Sequence, residues 1–251
     1  MTRSPSVAMA PGALRGEVRL TLQTRQAQRL LEGRPRRPGQ PAIRGLMGFA
    51  DATRDIWRAA QEDDPYADWF LLRIEQRLQH SGRLLQALKS EVLDFAKDSP
   101  LDWTAADSSE PARVQLRFAT PYAYRGAHLL SDFDRAARLV LTSRHLGILD
   151  LEAADAFLNR GGRIVRGAFD SVNGYRRFNI DRDAVMSGSP AARRAQVAMG
   201  ELPAEVLAEE RLADLRPRRL RIENDVQVLD GGALKAADET TSDIPRPDES
   251  A

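Results

Sequence analysis

The side chains that most often carry catalysis are present in this 251-residue chain, but they do not converge along it. His80, His128 and His145 lie far apart, and no His-x-x-x-His or His-Glu pair shares a helix face, so no zinc site is expected. Cysteine is absent, which removes disulfides and thiolate metal ligands. Neither a Gly-x-x-x-x-Gly-Lys phosphate loop nor a Gly-x-Ser-x-Gly nucleophile elbow occurs. Glu62, Asp63, Asp64 and Asp68 could be imagined as metal carboxylates, but at the start of a helix they complement its dipole. His128 and Asp132 share a helix face and read as a surface pair. The expectation is a protein that is not an enzyme, with no metal, no cofactor and no evident small-molecule substrate.

A different chemistry fits the chain better, hydrogen bonding to base edges. Arg19, Thr21 and Gln23 alternate with Val18, Leu20 and Leu22, while Gln115, Arg117 and Ala119 alternate with Val114, Leu116 and Phe118. An extended chain sends such sets to opposite faces. Arginine pairs bidentately with guanine, glutamine with adenine, and a small apolar group can touch a thymine methyl. Arg34, Arg36, Arg37, Arg176 and Arg177, with Arg216, Arg218 and Arg219 behind them, are candidate phosphate contacts, which position a protein without reading sequence. Tyr122, Tyr124, Tyr175 and Phe178 stand near arginines and could stack on bases, although core anchoring explains them as well. An ordinary small sheet with a wet outer face is the competing account of both strands.

Those side chains need elements to hold them. Alternation predicts strands at about 17–24 and 113–119, sharing the string Val-x-Leu-x-apolar-x-Thr, each leading into a helix. Thr24 caps a helix over Arg25–Glu32 that Gly33 ends, and a basic, proline-rich loop follows over 34–41. A helix is expected over 42–61 with Ile43, Leu46, Met47, Ala50 and Trp57 on its apolar face. Asp64-Pro65 then starts a long helix. Leu71, Ile74, Leu78, Ser81, Leu85, Leu88, Val92 and Phe95 make a heptad seam along it, fit to pack on a helix of this chain or of a partner, with a bend possible at Ser81-Gly82. Thr120-Pro121 opens a helix to about Arg144, and Asp150 caps another that Gly161-Gly162 is expected to end. Short helices are expected near 163–170, 181–200 and 203–215. The fold class is therefore mainly α with a small antiparallel ribbon (α+β).

Three ordered strings carry a family resemblance: Gly16 to Thr24, Asp63-Asp64-Pro65-Tyr66-Ala67-Asp68-Trp69, and Phe118-Ala119-Thr120-Pro121-Tyr122-Ala123-Tyr124, with Gly174-Tyr175-Arg176-Arg177 behind them. Over about residues 14–210 the chain resembles a family of integrating-conjugative-element proteins, similar to the AcaB-like transcriptional regulators of conjugative plasmids. That resemblance implies a ribbon-helix-helix regulator, with double-stranded DNA as partner. The first strand departs from the compact motif, because a proline-rich loop follows its short helix.

The composition agrees with this. The net charge of +1 hides an asymmetry: residues 1–222 hold 35 basic and 28 acidic residues, about +7, and eight acidic residues against two basic ones follow. Residues 1–13 are expected to be disordered, 14–222 to form the mainly helical domain, and 223–251 to be an acidic, largely disordered tail. With no apolar N-terminal run and no stretch near the ~20 apolar residues of a membrane span, a cytoplasmic protein without a membrane partner is expected. The leading expectation is a homo-oligomeric DNA-binding regulator. The alternative is a non-catalytic interaction or assembly protein of the conjugation machinery, in which the long helix carries the function and the strands merely pack.

Overall fold

In the computed structural model the described residues are 16–97 and 99–220. The expected N-terminal stretch 1–13 and the acidic tail 223–251 lie outside them. The chain runs β1 (Val18–Leu22), α1 (Arg25–Glu32), β2 (Gly33–Arg34), β3 (Ile43–Arg44), α2 (Leu46–Gln61), α3 (Pro65–Ala96) and β4 (Ala112–Leu116). There follow α4 (Pro121–His145), α5 (Leu151–Phe169), a short 3-10 turn (Asp170–Val172), α6 (Arg182–Met186), α7 (Pro190–Met199) and α8 (Ala204–Leu207). It is a mainly helical protein with two small antiparallel pairs, β1 with β4 and β2 with β3.

Helix starts follow the capping chemistry in the sequence. Thr24, Asp64, Thr120 and Asp150 each accept a backbone N–H from the first turn of the helix they precede, and Pro65 and Pro121 occupy first-turn positions where no donor is lost. Gly33 departs from an ordinary stop. It ends α1 with a positive φ, and a Cβ there would lie 2.3 Å from the Ile43 carbonyl oxygen and 2.4 Å from the Gly45 nitrogen. Backbone crosses backbone at that point, which permits β2 and β3 to pair. Residues 42–45 are consequently outside α2, which begins at Leu46 rather than near residue 42. Its inner face is Leu46, Phe49, Ala50, Thr53, Ile56, Ala59 and Ala60, whereas Met47 stays exposed.

The long helix α3 is unbroken through Ser81-Gly82. Leu71, Ile74, Leu78, Ser81, Leu85, Leu88 and Val92 are all buried within this one chain, where α3 packs on α2, α4 and α5. Phe95, at the end of the seam, is exposed and meets Phe157 edge-on. Helices packed on every side of the stripe thus use it up, and an oligomer would have to form elsewhere.

Gly161-Gly162 does not end α5, which continues to Phe169. A Cβ on Gly161 would come within 2.7 Å of the Phe133 ring, so the glycine is there for close helix approach, not for a left-handed cap. The C-terminal third is shorter in helix than its periodicity suggests. α6 and α7 replace one helix over 181–200, parted by Gly188 at positive φ, and the 203–215 stretch forms only the four residues of α8.

Side chains of this last segment close over the start of α3. The buried Arg182 guanidinium donates to Asp68 at 2.7 Å, to Asp63 and to the Leu207 carbonyl. Burial alone would lower the Arg182 pKa, but its bond to Asp68 and the charges of Asp68, Asp63 and Glu209 outweigh it and raise the value. Arg219 adds contacts to Asp63 at 2.9 Å and Glu209 at 2.8 Å. Tyr175 donates its hydroxyl to Asp64 at 2.8 Å, and burial beside that carboxylate pushes the phenol pKa far above its usual value, so the hydroxyl remains a donor. The acidic group at 63, 64 and 68 is therefore a clasp as well as a helix start.

Candidate nucleic-acid interface

A two-stranded ribbon is marginal alone, so what fastens β1 and β4 decides what they can present. The register pairs Val18 with Leu116, Arg19 with Gln115, Leu20 with Val114, Thr21 with Arg113 and Leu22 with Ala112. Val18 is the sequence counterpart of Val114, and Leu20 of Leu116. The observed pairing exchanges them, so an approximate two-fold axis runs through the Arg19/Gln115 pair. Directly opposed residues share a face. Leu20, Leu22 and Leu116 are buried, with Val114 partly so, and Arg19, Thr21, Arg113 and Gln115 stand exposed together on the other side.

Three sets of bonds hold the ribbon. Asp134 of α4, itself buried, accepts the Gln23 amide at 2.8 Å, the Thr24 amide at 2.9 Å and the Thr24 hydroxyl at 2.7 Å. This fixes the turn from β1 into α1. The approach to β4 is fastened by Arg138, which donates to the Ala105 and Ala106 carbonyls and pairs with Asp107 at 2.5 Å. Thr142 accepts the Ala106 amide there. Beyond β4, the Phe118 amide donates to the Tyr124 hydroxyl at 3.2 Å while the two rings pack 5.3 Å apart.

The expected base-facing residues divide. Arg19, Thr21, Gln115 and Arg117 are exposed, although Arg19 pairs with Glu17 at 2.7 Å and Arg117 lies one residue past β4. Gln23 is half-buried, and its Oε1 accepts the Ser108 amide at 2.9 Å, so it ties down the loop before β4. Arg113 was missed as an outward residue although strand parity puts it with Gln115 and Arg117. It faces Thr21, and no hydrogen bond or ion pair engages it among the described residues.

The phosphate candidates do not form one patch with the ribbon. Arg34 donates to the Pro41 carbonyl, and Arg36 and Arg37 are exposed in the hairpin after α1, about 12 Å along that eight-residue helix from β1. Arg177 is paired with Glu62, Arg219 belongs to the clasp, and Arg176 is exposed. Arg216 and Arg218 line a shallow cleft beside Asp68 and Glu209. Tyr122 is buried, Tyr175 half-buried and Tyr124 under Phe118, so these rings anchor the core. Among the described residues no three His, Asp or Glu side chains gather as a metal site needs, and no helix is long and apolar enough to cross a membrane.

The fold has a solved counterpart. The crystal structure of selenomethionine-containing AcaB from uropathogenic E. coli superposes with a TM-score of 0.55 at 14% identity, covering 78% of this chain and 95% of that one. No curated protein sequence matches the chain. A family model described as transcriptional regulator AcaB matches residues 10–220, a span that takes in all the described residues. The match spans most of the chain, which therefore belongs to the AcaB family of transcriptional regulators.

Proposed function

We propose that this regulator binds double-stranded DNA and reads the major groove with the β1/β4 ribbon, in the manner of a ribbon-helix-helix protein, in the service of an integrating conjugative element. The observation that carries the reading is the exposed set Arg19, Thr21, Arg113 and Gln115, side by side on a ribbon whose other face buries Leu20, Leu22 and Leu116. A major groove about 12 Å wide admits a two-stranded ribbon, and arginine and glutamine supply the forked donors and acceptors that tell bases apart. Both strands come from one chain, and β1 leads into α1 and β4 into α4 and α5. One chain then supplies a complete ribbon, and a homo-oligomer would set two such ribbons on successive half-sites. Arg36 and Arg37 serve as backbone contacts in this reading. The likeness of the Gly16–Thr24 and Phe118–Tyr124 strings to conjugative-element proteins supports the biological setting.

Binding of purified protein to tiled fragments from around its own gene, at two salt concentrations, tests this. Arg19→Ala and Arg113→Ala should each weaken the preferred fragment by roughly tenfold or more, the loss of one bidentate base contact at about 1–3 kcal/mol. Arg36→Ala should weaken all fragments alike and reduce the salt slope by about one. Equal binding to every fragment, unchanged by both ribbon variants, would remove the ribbon from recognition.

A further inference from the structure

Away from the ribbon, α3, the end of α5 and the 3-10 turn border an open cleft of about 570 Å³ lined by Arg73, Gln76, Arg77, His80, Gly167, Asp170 and Ser171, with the α3 side chains exposed to solvent. We propose that this cleft binds a phosphoryl group. Residues 73, 76, 77 and 80 recur at the spacing of one helix face, so four polar side chains of α3 project to the same side. The two arginines are oriented without being neutralised. Arg77 donates its Nε to the Gly167 carbonyl at 3.2 Å, which fixes the plane of the guanidinium and leaves its terminal nitrogens for a ligand. A Cβ at Gly167 would lie 3.2 Å from Arg77 Nη2, so the glycine keeps the approach open. Arg73 rests over the Trp69 ring at 5.3 Å and the Phe70 ring at 4.7 Å, a hold that uses the ring faces and not the N–H donors.

Several other arginines are matched with carboxylates, as in Arg125 with Glu75, Arg160 with Glu91 and Arg177 with Glu62, whereas no ion pair engages Arg73 or Arg77 among the described residues. Within this cleft the one carboxylate, Asp170, accepts from Asn173 at 3.1 Å. Two oriented planar forks side by side suit a tetrahedral phosphoryl anion, which each can engage through paired N–H donors. Gln76 and His80 add further donors. The volume lies within the range of small-ligand pockets, about 300–1,000 Å³. Such a group can be carried by a free phosphate ester or by a DNA backbone, and no lining residue belongs to β1 or β4. The site therefore stands whether or not the ribbon reads DNA.

Calorimetric titration of the full chain with inorganic pyrophosphate tests the assignment, with tryptophan fluorescence, to which Trp69 beside Arg73 contributes, as a second signal. Saturable binding is expected. It should weaken roughly tenfold or more in Arg73→Gln/Arg77→Gln, since each lost cation removes charge-assisted bonds, and similarly in Gln76→Glu, which places a carboxylate in the cleft. Arg193→Gln, exposed on α7, should leave it unchanged. Circular dichroism identifies any variant that has lost its fold, and Gln76→Glu keeps the test decisive if the double variant does. Absence of saturable binding, or binding untouched in folded variants of both kinds, overturns the proposal. Competition of pyrophosphate by a duplex of arbitrary sequence would assign the phosphoryl group to the DNA backbone; undiminished binding in its presence would assign it to a free phosphate ester.

Discussion

Asp134 shows how one residue can control the ribbon without lying on it. Its carboxylate receives three hydrogen bonds at the turn from β1 into α1 and is buried beneath them. Substitution by alanine leaves the Gln23 and Thr24 amides and the Thr24 hydroxyl without that acceptor in a poorly solvated place. Each bond to a charged group is worth about 1.5–3 kcal/mol and the three are not additive, so Asp134→Ala should cost roughly 3–5 kcal/mol. Asp134→Asn keeps one acceptor oxygen and should fall between alanine and the native residue. Urea denaturation read by circular dichroism checks the order. A loss below about 1 kcal/mol for alanine would mean that water replaces the carboxylate and that α4 does not set the ribbon's position. No local pattern marks Asp134, because its partners lie 110 residues away in sequence.

At the scale of elements, a glycine inside a helix has two opposite meanings that sequence alone does not separate. Gly82 of α3 has nothing within 4 Å of where a Cβ would be, whereas a Cβ on Gly161 of α5 would press into the Phe133 ring at 2.7 Å. Gly82→Ala should therefore stabilise the protein by about 0.5–1 kcal/mol through helix propensity. Gly161→Ala should destabilise it by about 1–3 kcal/mol, because Phe133 or a whole helix must move. Opposite shifts in melting temperature would verify the pair; shifts of the same sign would show that α4 and α5 yield easily. This distinction explains much of what could be read in advance. Capping residues act locally, so Thr24, Asp64, Thr120 and Asp150 announce their helices. Strict alternation announces β1 and β4. The end of α5, the late start of α2 and the split of α6 from α7 depend on what packs nearby, and Gly161 in the sequence resembles any helix stop. At the candidate interface, Arg19, Thr21, Gln115 and Arg117 follow from strand period alone. The capture of Gln23 by Ser108 and the pairing of Arg177 with Glu62 need tertiary contacts that no period encodes.

For the whole molecule, the question is why a segment with so little regular structure past α5 belongs to the same compact unit as the ribbon. Arg182 supplies the answer, since its side chain is 7% exposed and binds Asp63 and Asp68 at the start of α3 while also meeting the Leu207 carbonyl. The Leu220 amide donates to Gln61 at 2.8 Å, and the Asp214 amide to Glu75 at 2.8 Å, so the same segment touches the end of α2 and the middle of α3. Truncating Arg182 to alanine would leave the buried Asp68 with only Arg219, 4.0 Å away, while Asp63 keeps its pair with Arg219. The expected cost is about 3–5 kcal/mol, that of a buried pair losing one partner. Arg219, with a side chain 38% exposed, is partly screened by water and should cost about 1 kcal/mol or less when replaced by alanine. Because α3 packs on α2, α4 and α5, loosening its first turn should lower the stability of the whole unit in a single transition. On the proposed reading by the ribbon, DNA affinity measured well below that transition should not change, since none of the clasp residues lies in β1 or β4. Differential scanning calorimetry with binding measured at low temperature separates the two effects. An early partial transition in Arg182→Ala would make the C-terminal segment an independently melting flap, and a parallel loss of DNA binding would make it part of the interface.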